Sequence, residues 1–238
     1  MHSCIYRLTL RLLALAAFCL STGGNLANAQ TVTWQILPFP DINWGGSHGQ
    51  PATTNGNLIA LQGQPVRTVD NFSGSVRISY DVMLNSRASS DGGLQLYFVP
   101  SGLSSNQLYP CLQLYFAYRN RTGESDALFM NSVSSNGTGT QVWGDVPFSI
   151  SVQTTYHNVI DVSPTGELTW IVNNLTNSVP STVTVPFSQF QLELEGWQPN
   201  GPTWTVSNFT VVPEPNAAPL VAFGVVSMLF FGRKKLRI

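Results

Sequence analysis

Between residues 30 and 212 hydrophobic and polar residues alternate in run after run, and the roughly 3.6-residue period of an amphipathic helix is almost absent. Val76 to Leu84 shows the alternation best: Val76, Ile78, Tyr80, Val82 and Leu84 share one side, and Arg77, Ser79, Asp81 and Met83 the other. That pattern predicts a strand with one core face and one wet face. Thr31 to Leu37 predicts a first strand, and Phe148, Ile150 and Val152, alternating with Ser149, Ser151 and Gln153, another. Asn158 to Val162 and Leu168 to Val172 flank Pro164-Thr165-Gly166, which predicts a hairpin whose glycine is free to take a positive φ. Gln189 to Glu195 puts Phe190, Leu192 and Leu194 inward against Gln191, Glu193 and Glu195, and Trp204 to Val212 is the last strand. The Gly-, Asn- and Pro-rich stretch from Pro38 to Gly63 predicts a long loop or a set of irregular turns. The body is therefore an all-β domain of many short strands.

One pentapeptide occurs twice. LQLYF stands at Leu94 to Phe98 and again at Leu112 to Phe116, which predicts two neighbouring strands joined by the loop from Pro100 to Pro110. Leu94, Leu96, Phe98, Leu112, Leu114 and Phe116 then face the core, and Gln95, Tyr97, Gln113 and Tyr115 face outward. Two copies are too few for a repeat architecture.

The alternation fails at both ends. Arg7 and Arg11, the apolar run Leu12 to Leu20 and the small-x-small triplet Ala27-Asn28-Ala29 predict a secretory signal peptide over residues 1–29, removed by signal peptidase. At the other end Pro213-Glu214-Pro215 breaks the last strand, since proline lacks an amide donor. The uncharged run Ala217 to Phe231 follows, then Arg233, Lys234, Lys235 and Arg237. A helix through that run covers about 20 Å of the ~30 Å hydrocarbon core, so it spans only with its basic flank snorkelling to the cytoplasmic headgroups. This tail closely resembles the PEP-CTERM sorting signal of Gram-negative exported proteins. The resemblance covers Val212 to Ile238, with Pro213, Glu214 and Pro215 matching the motif; Pro219 within the span and Leu236 within the basic end depart from it. It implies an exosortase as partner, transient anchoring in the inner membrane, and removal of the tail near the motif. The expected organisation is a signal peptide at 1–29, a β-sandwich body at 30–212 and a sorting segment with a single transmembrane helix at 213–238.

Charge changes the picture of partners. Of 12 acids only Glu214 lies in the tail, and six of the 11 bases lie in the terminal segments, so the body holds 11 acids and five arginines, with no lysine. A nucleic-acid partner needs a basic footprint, which this body lacks. Cys4 and Cys19 leave with the signal peptide, so Cys111 remains alone in an oxidising compartment. A buried structural cysteine is the favoured reading, ahead of an intermolecular disulfide or a nucleophile.

The segment YHNVIDVSPTGELTWIVNN, from Tyr156 to Asn174, and the closing strand around Asn208-Phe209 resemble the hairpin and last strand of concanavalin A-like and laminin-G-like jelly-roll sandwiches. That resemblance implies a jelly-roll β-sandwich whose first and last strands pair. Function does not follow from fold, so the candidate chemistry is read from residues. Glu193 and Glu195 in LELEGW are two carboxylates on one strand face, the raw material of glycoside hydrolysis. The string lacks the E-x-D-x-x-E motif of laminarinase-like glucanases of the same fold, and an ordinary solvated strand face is the favoured reading. His48 and His157 are the body's histidines, no G-x-S-x-G elbow exists, and no His/Cys cluster has metal-ligand spacing. Oxygen donors at Asp41, Asn43, Asn55, Asn57 and Asp91 can meet calcium but lack an EF-hand spacing. The N-x-S/T triplets at Asn71, Asn120, Asn136, Asn174 and Asn208 carry little weight in a bacterial exported chain.

Carbohydrate has a better physical basis. Tyr97 and Tyr115 would be aromatic platforms on a wet face, with Arg77, Asp81, Gln95, Gln113, Glu193 and Glu195 as hydrogen-bond partners. An ordinary polar sheet face, with Arg77 in cross-strand pairs with Asp or Glu, is the favoured reading of these residues. The expected role is thus structural or adhesive in the cell envelope or extracellular matrix, with polysaccharide as ligand; a jelly-roll glycosidase and a ligand-free scaffold are the other two.

Overall fold

In this computed structural model the described residues are 30–37, 53–55, 58–61, 65–87, 91–104, 107, 109–119, 123–173, 175–177, 183–197 and 202–213. The signal peptide, the Glu214 and Pro215 end of the sorting motif, Arg233, Lys234, Lys235 and the expected transmembrane helix all lie outside them. In chain order the strands begin with β1 (Gln30–Thr31), β2 (Trp34–Ile36), β3 (Thr53–Asn55) and β4 (Leu58–Leu61). Next come β5 (Val66–Thr68), β6 (Phe72–Ser73), β7 (Val76–Ser86), β8 (Gly92–Pro100) and β9 (Cys111–Tyr118). The rest are β10 (Ala127–Val133), β11 (Gly139–Pro147), β12 (Thr155–Val162), β13 (Leu168–Val172), β14 (Leu175–Asn177), β15 (Gln189–Trp197) and β16 (Thr203–Pro213).

They form two sheets. The first runs β14-β13-β12-β7-β16-β4-β3, with β1 also on β16; the second runs β11-β10-β9-β8-β15-β5-β2, with β6 also on β15. Each sheet turns its alternate apolar residues toward the other. β7 buries Val76, Ile78, Tyr80, Val82 and Leu84 as its pattern requires, while Arg77 stays exposed. Aromatic pairs between the sheets tie them: Trp34 on Phe209 with ring centroids 4.9 Å apart, Phe116 on Trp204 at 6.0 Å, and Trp143 on Trp170 at 6.2 Å. Each adds roughly 0.5–1.5 kcal/mol beyond its area of burial.

The doubled pentapeptide is a cross-strand pair. β8 and β9 run antiparallel with Leu94 opposite Phe116, Gln95 opposite Tyr115, Leu96 opposite Leu114, Tyr97 opposite Gln113 and Phe98 opposite Leu112. The core side of both copies is buried. Gly93 is needed where they meet, because a Cβ there would stand 2.8 Å from the Phe116 carbonyl oxygen.

The first and last strands pair, Gln30 opposite Val211 and Thr31 opposite Thr210. β16 extends one residue further than its pattern suggests, to Pro213. The hairpin at Pro164 to Gly166 forms, with Gly166 at φ +84°.

Three expectations change. Thr31 to Leu37 is two short strands in different sheets, because the chain crosses between β1 and β2 at Val32 and Thr33, where the Thr33 carbonyl accepts from the Val69 amide. Pro38 to Gly63 is not loop throughout, since β3 and β4 extend the first sheet beyond β16. Phe148 to Val152 is not a strand, because its amides are taken by one aspartate: Phe148 donates to the Asp126 carbonyl and Ile150 to Asp126 Oδ2.

Candidate functional site

Of the eight buried polar side chains among the described residues, six share the outer face of the second sheet: Arg67, Gln95, Gln113, Gln191, Glu193 and Glu195. Register brings them into rows. Gln141, Asn131, Gln113, Tyr97, Glu193, Arg67 and Gln35 stand opposite one another across seven strands. Phe129, Tyr115, Gln95 and Glu195 form the neighbouring row.

The face expected to be wet is therefore covered. Tyr97 is 1 % exposed and Glu193 2 %, and the described part of the cover is the β8–β9 loop. Arg67 fastens it: its Nε donates to Glu193 Oε2 at 2.8 Å, its Nη1 to the Leu103 and Ser104 carbonyls at 3.1 Å each, and its Nη2 to the Gln107 carbonyl at 2.6 Å. Leu103 and Tyr109 of the same loop pack on Tyr97, Val99, Cys111 and Val133. Cys111 is thus a buried residue under this loop, as the favoured reading had it.

Beneath the loop the Tyr97 hydroxyl donates to Glu195 Oε2 at 2.6 Å and lies against the Gln95 amide. Burial, with the Glu195 carboxylate beside it, pushes the Tyr97 phenol well above its ordinary value. Tyr115 is raised in the same direction, first by burial and then by Glu195, while a hydrogen bond with Asn131 works against the rise. Its hydroxyl also donates to Gln113 Oε1 at 3.1 Å.

The expected ligand patch does not form as one surface. Gln95, Tyr97, Gln113 and Tyr115 come together with Glu193 and Glu195, but Arg77 and Asp81 belong to β7 in the first sheet. There Arg77 grips Asp161 with two bonds of 2.6 and 2.9 Å, and Asp81 accepts from Asn208 and shares a hydrogen bond with His157 Nδ1 at 2.7 Å. Alternation within one strand shows which residues share a face, but not which sheet the strand joins.

Three residues at the open side of the second sheet escaped the sequence reading. Phe129 stacks on Tyr115, with centroids 4.3 Å apart and planes 13° from parallel, and stays half-buried. On its other side β11 bulges: Met130 faces Trp143 and Leu128 faces Val146, so Phe129 alone opposes Gly144 and Asp145. The Gln141 amide lies beside Gly144, 3.3 Å from where a Cβ would stand. Half-buried Asn131 and exposed Gln141 complete an apolar ring flanked by amides. The signal was present as the alternation Phe129, Asn131 in ALFMNSV.

No family profile and no curated protein matches the sequence. Solved structures do. The carbohydrate recognition domain of Emp47p matches with a TM-score of 0.53 and 15% identity, over 80% of this chain and 93% of that domain. The fold is a concanavalin A-like jelly roll. The carbohydrate-binding module CBM66 from Bacillus subtilis matches this jelly roll at 0.53 and 13% identity, over 78% and 97% of the two chains. The exoplasmic/lumenal domain of VIP36, solved with Ca2+ and Man3GlcNAc, matches at 0.51 and 10% identity, over 78% and 91%.

On this jelly roll the two carboxylates already have internal partners, Glu193 in Arg67 and Glu195 in Tyr97. Of the calcium candidates Asp41, Asn43 and Asn57 lie outside the described residues, and among the described residues no three His, Cys, Asp or Glu side chains gather to hold a metal.

Proposed function

We propose that this chain is an exported envelope or extracellular-matrix protein whose jelly roll binds glycan, structural or adhesive in role. Its signal peptide at 1–29 directs export, and its tail at 213–238 is read by an exosortase. The observation that carries the binding reading is the outer face of the second sheet at β10 and β11, where half-buried Phe129, backed by the buried Tyr115 ring, stands beside the amides of half-buried Asn131 and exposed Gln141. Hydroxyl-rich ligands take paired hydrogen bonds from amides and pack their apolar C–H faces on rings. The same fold carries carbohydrate recognition in Emp47p and carbohydrate binding in CBM66.

Two experiments test the two halves. The intact mass of protein recovered from producing cells should place the mature N-terminus at Gln30 and the C-terminus near Pro215; an uncleaved chain ending at Ile238 in the membrane fraction would make the tail a permanent anchor instead. A polysaccharide pull-down should retain the protein and lose it on Phe129→Ala with Asn131→Ala; indifference to every glycan tried would leave the scaffold reading.

A further inference from the structure

The charged groups of the body point to a class of ligand. Every arginine among the described residues is committed to an internal partner. Arg67 is buried between Glu193 and three carbonyls of the β8–β9 loop. Arg77 is held in a two-bond fork by Asp161, on the first sheet. Arg87 donates to the Ile150 carbonyl at 2.6 Å with its guanidinium 4.8 Å from the centre of the Tyr118 ring. Arg119 pairs with Glu124 at 3.8 Å. The body has one further arginine, Arg121, and no lysine, against 11 acids.

The buried carboxylates and guanidinium on the outer face of the second sheet are Glu193, Glu195 and Arg67, two acids against one base. A uronate or sulfated polymer laid there would meet the excess negative charge of the body, with the Arg67 guanidinium buried and already spent on Glu193 and loop carbonyls. Anionic polymers are recognised by forked or clustered cations, and desolvating their charges without such partners is costly. The amides of Asn131 and Gln141 and the half-buried Phe129 ring need no counter-charge.

We infer that this face selects uncharged, hydroxyl-rich glycans and rejects polyuronates and sulfated polysaccharides. The inference rests on the glycan-binding reading of the same face. It also fixes the salt dependence: with no ion pair to the ligand, affinity is insensitive to ionic strength, whereas binding through cations falls steeply as salt screens them.

Affinity electrophoresis of the purified protein through gels containing neutral glucan, mannan or fructan, alginate, or a sulfated galactan tests it directly. The expected result is retardation by at least one neutral polymer, with an affinity changing less than about twofold between ~20 mM and ~500 mM NaCl, and at least ~tenfold weaker retardation by alginate and sulfated galactan. Retardation should be lost in Phe129→Ala, whose near-UV circular dichroism checks that the fold is intact. Salt-sensitive binding to alginate or sulfated galactan that equals or exceeds neutral binding overturns the selectivity and leaves glycan binding standing. Absence of binding to every polymer overturns the binding reading itself, and the selectivity with it.

Discussion

Arg67 Nε lies 2.8 Å from Glu193 Oε2, and both side chains are within 2 % of complete burial. Desolvating two such charges costs several kcal/mol per ion, which a single contact does not reliably offset. Here Arg67 also donates to the carbonyls of Leu103, Ser104 and Gln107, so three of its four remaining N–H groups are used on the loop that covers the polar face. The pair is an anchor for a cover.

Removing one member should therefore be costly. Glu193→Gln, which leaves the guanidinium buried without its anion, should lower stability by about 3–5 kcal/mol, measured by urea unfolding. If stability were unchanged and the loss were instead confined to turnover of a β-glucan, Glu193 would belong to a glycosidase.

The exposed counterpart should behave differently. Arg77 and Asp161 make a well-formed fork, but the Arg77 side chain is 54 % exposed. Screening limits such pairs to roughly 0–1 kcal/mol, so Arg77→Ala should shift the urea midpoint far less than Glu193→Gln does.

Cys111 reports on the cover. It is buried with Leu103 and Tyr109 packed around it, so a thiol reagent should reach it only when the loop opens. Arg67→Lys keeps a positive charge but loses the forked geometry that holds three carbonyls. Labelling of Cys111 in folded protein should be at least ~tenfold faster in that variant. Equal rates would mean that other contacts hold the loop.

Alkaline pH should unfold the domain through its phenols. Tyr80 and Tyr115 are raised chiefly by burial, as is Tyr97. A folded-state value above the unfolded one keeps the proton on the native chain, so the stabilisation is complete below the unfolded value near ~10 and is lost as pH climbs from there toward the folded values. A spectrophotometric titration at the phenolate band should show these tyrosines ionising together with loss of structure. Their ionisation as free phenols near ~10 in a folded protein would contradict the burial.

Much of the fold could be read in the chain because alternation follows directly from strand geometry. Val76 to Leu84 and the two LQLYF copies gave the core side residue by residue, and LQLYF even gave its own partner. Sheet membership cannot be read that way, so alternation alone groups Arg77 and Asp81 with Tyr97 although they lie on the other sheet. Burial of the outer face also escaped. Gln95, Tyr97, Glu193 and Glu195 look like solvent-facing residues until a loop 36 to 40 positions away from Arg67 folds back onto them, and no local pattern encodes that return. Phe129 is a candidate only through the pairing of β9, β10 and β11, which sets its half-buried ring on Tyr115 and in one sheet with Gln141.

The central claim is that the outer face of the second sheet binds glycan at Phe129. Its most direct test is the dissociation constant of the protein for the neutral polysaccharide it retains, compared between wild type and Phe129→Ala. The account predicts a loss of at least ~tenfold, equivalent to about 1.4 kcal/mol, with the thermal midpoint little changed. An affinity identical in the two proteins would contradict it.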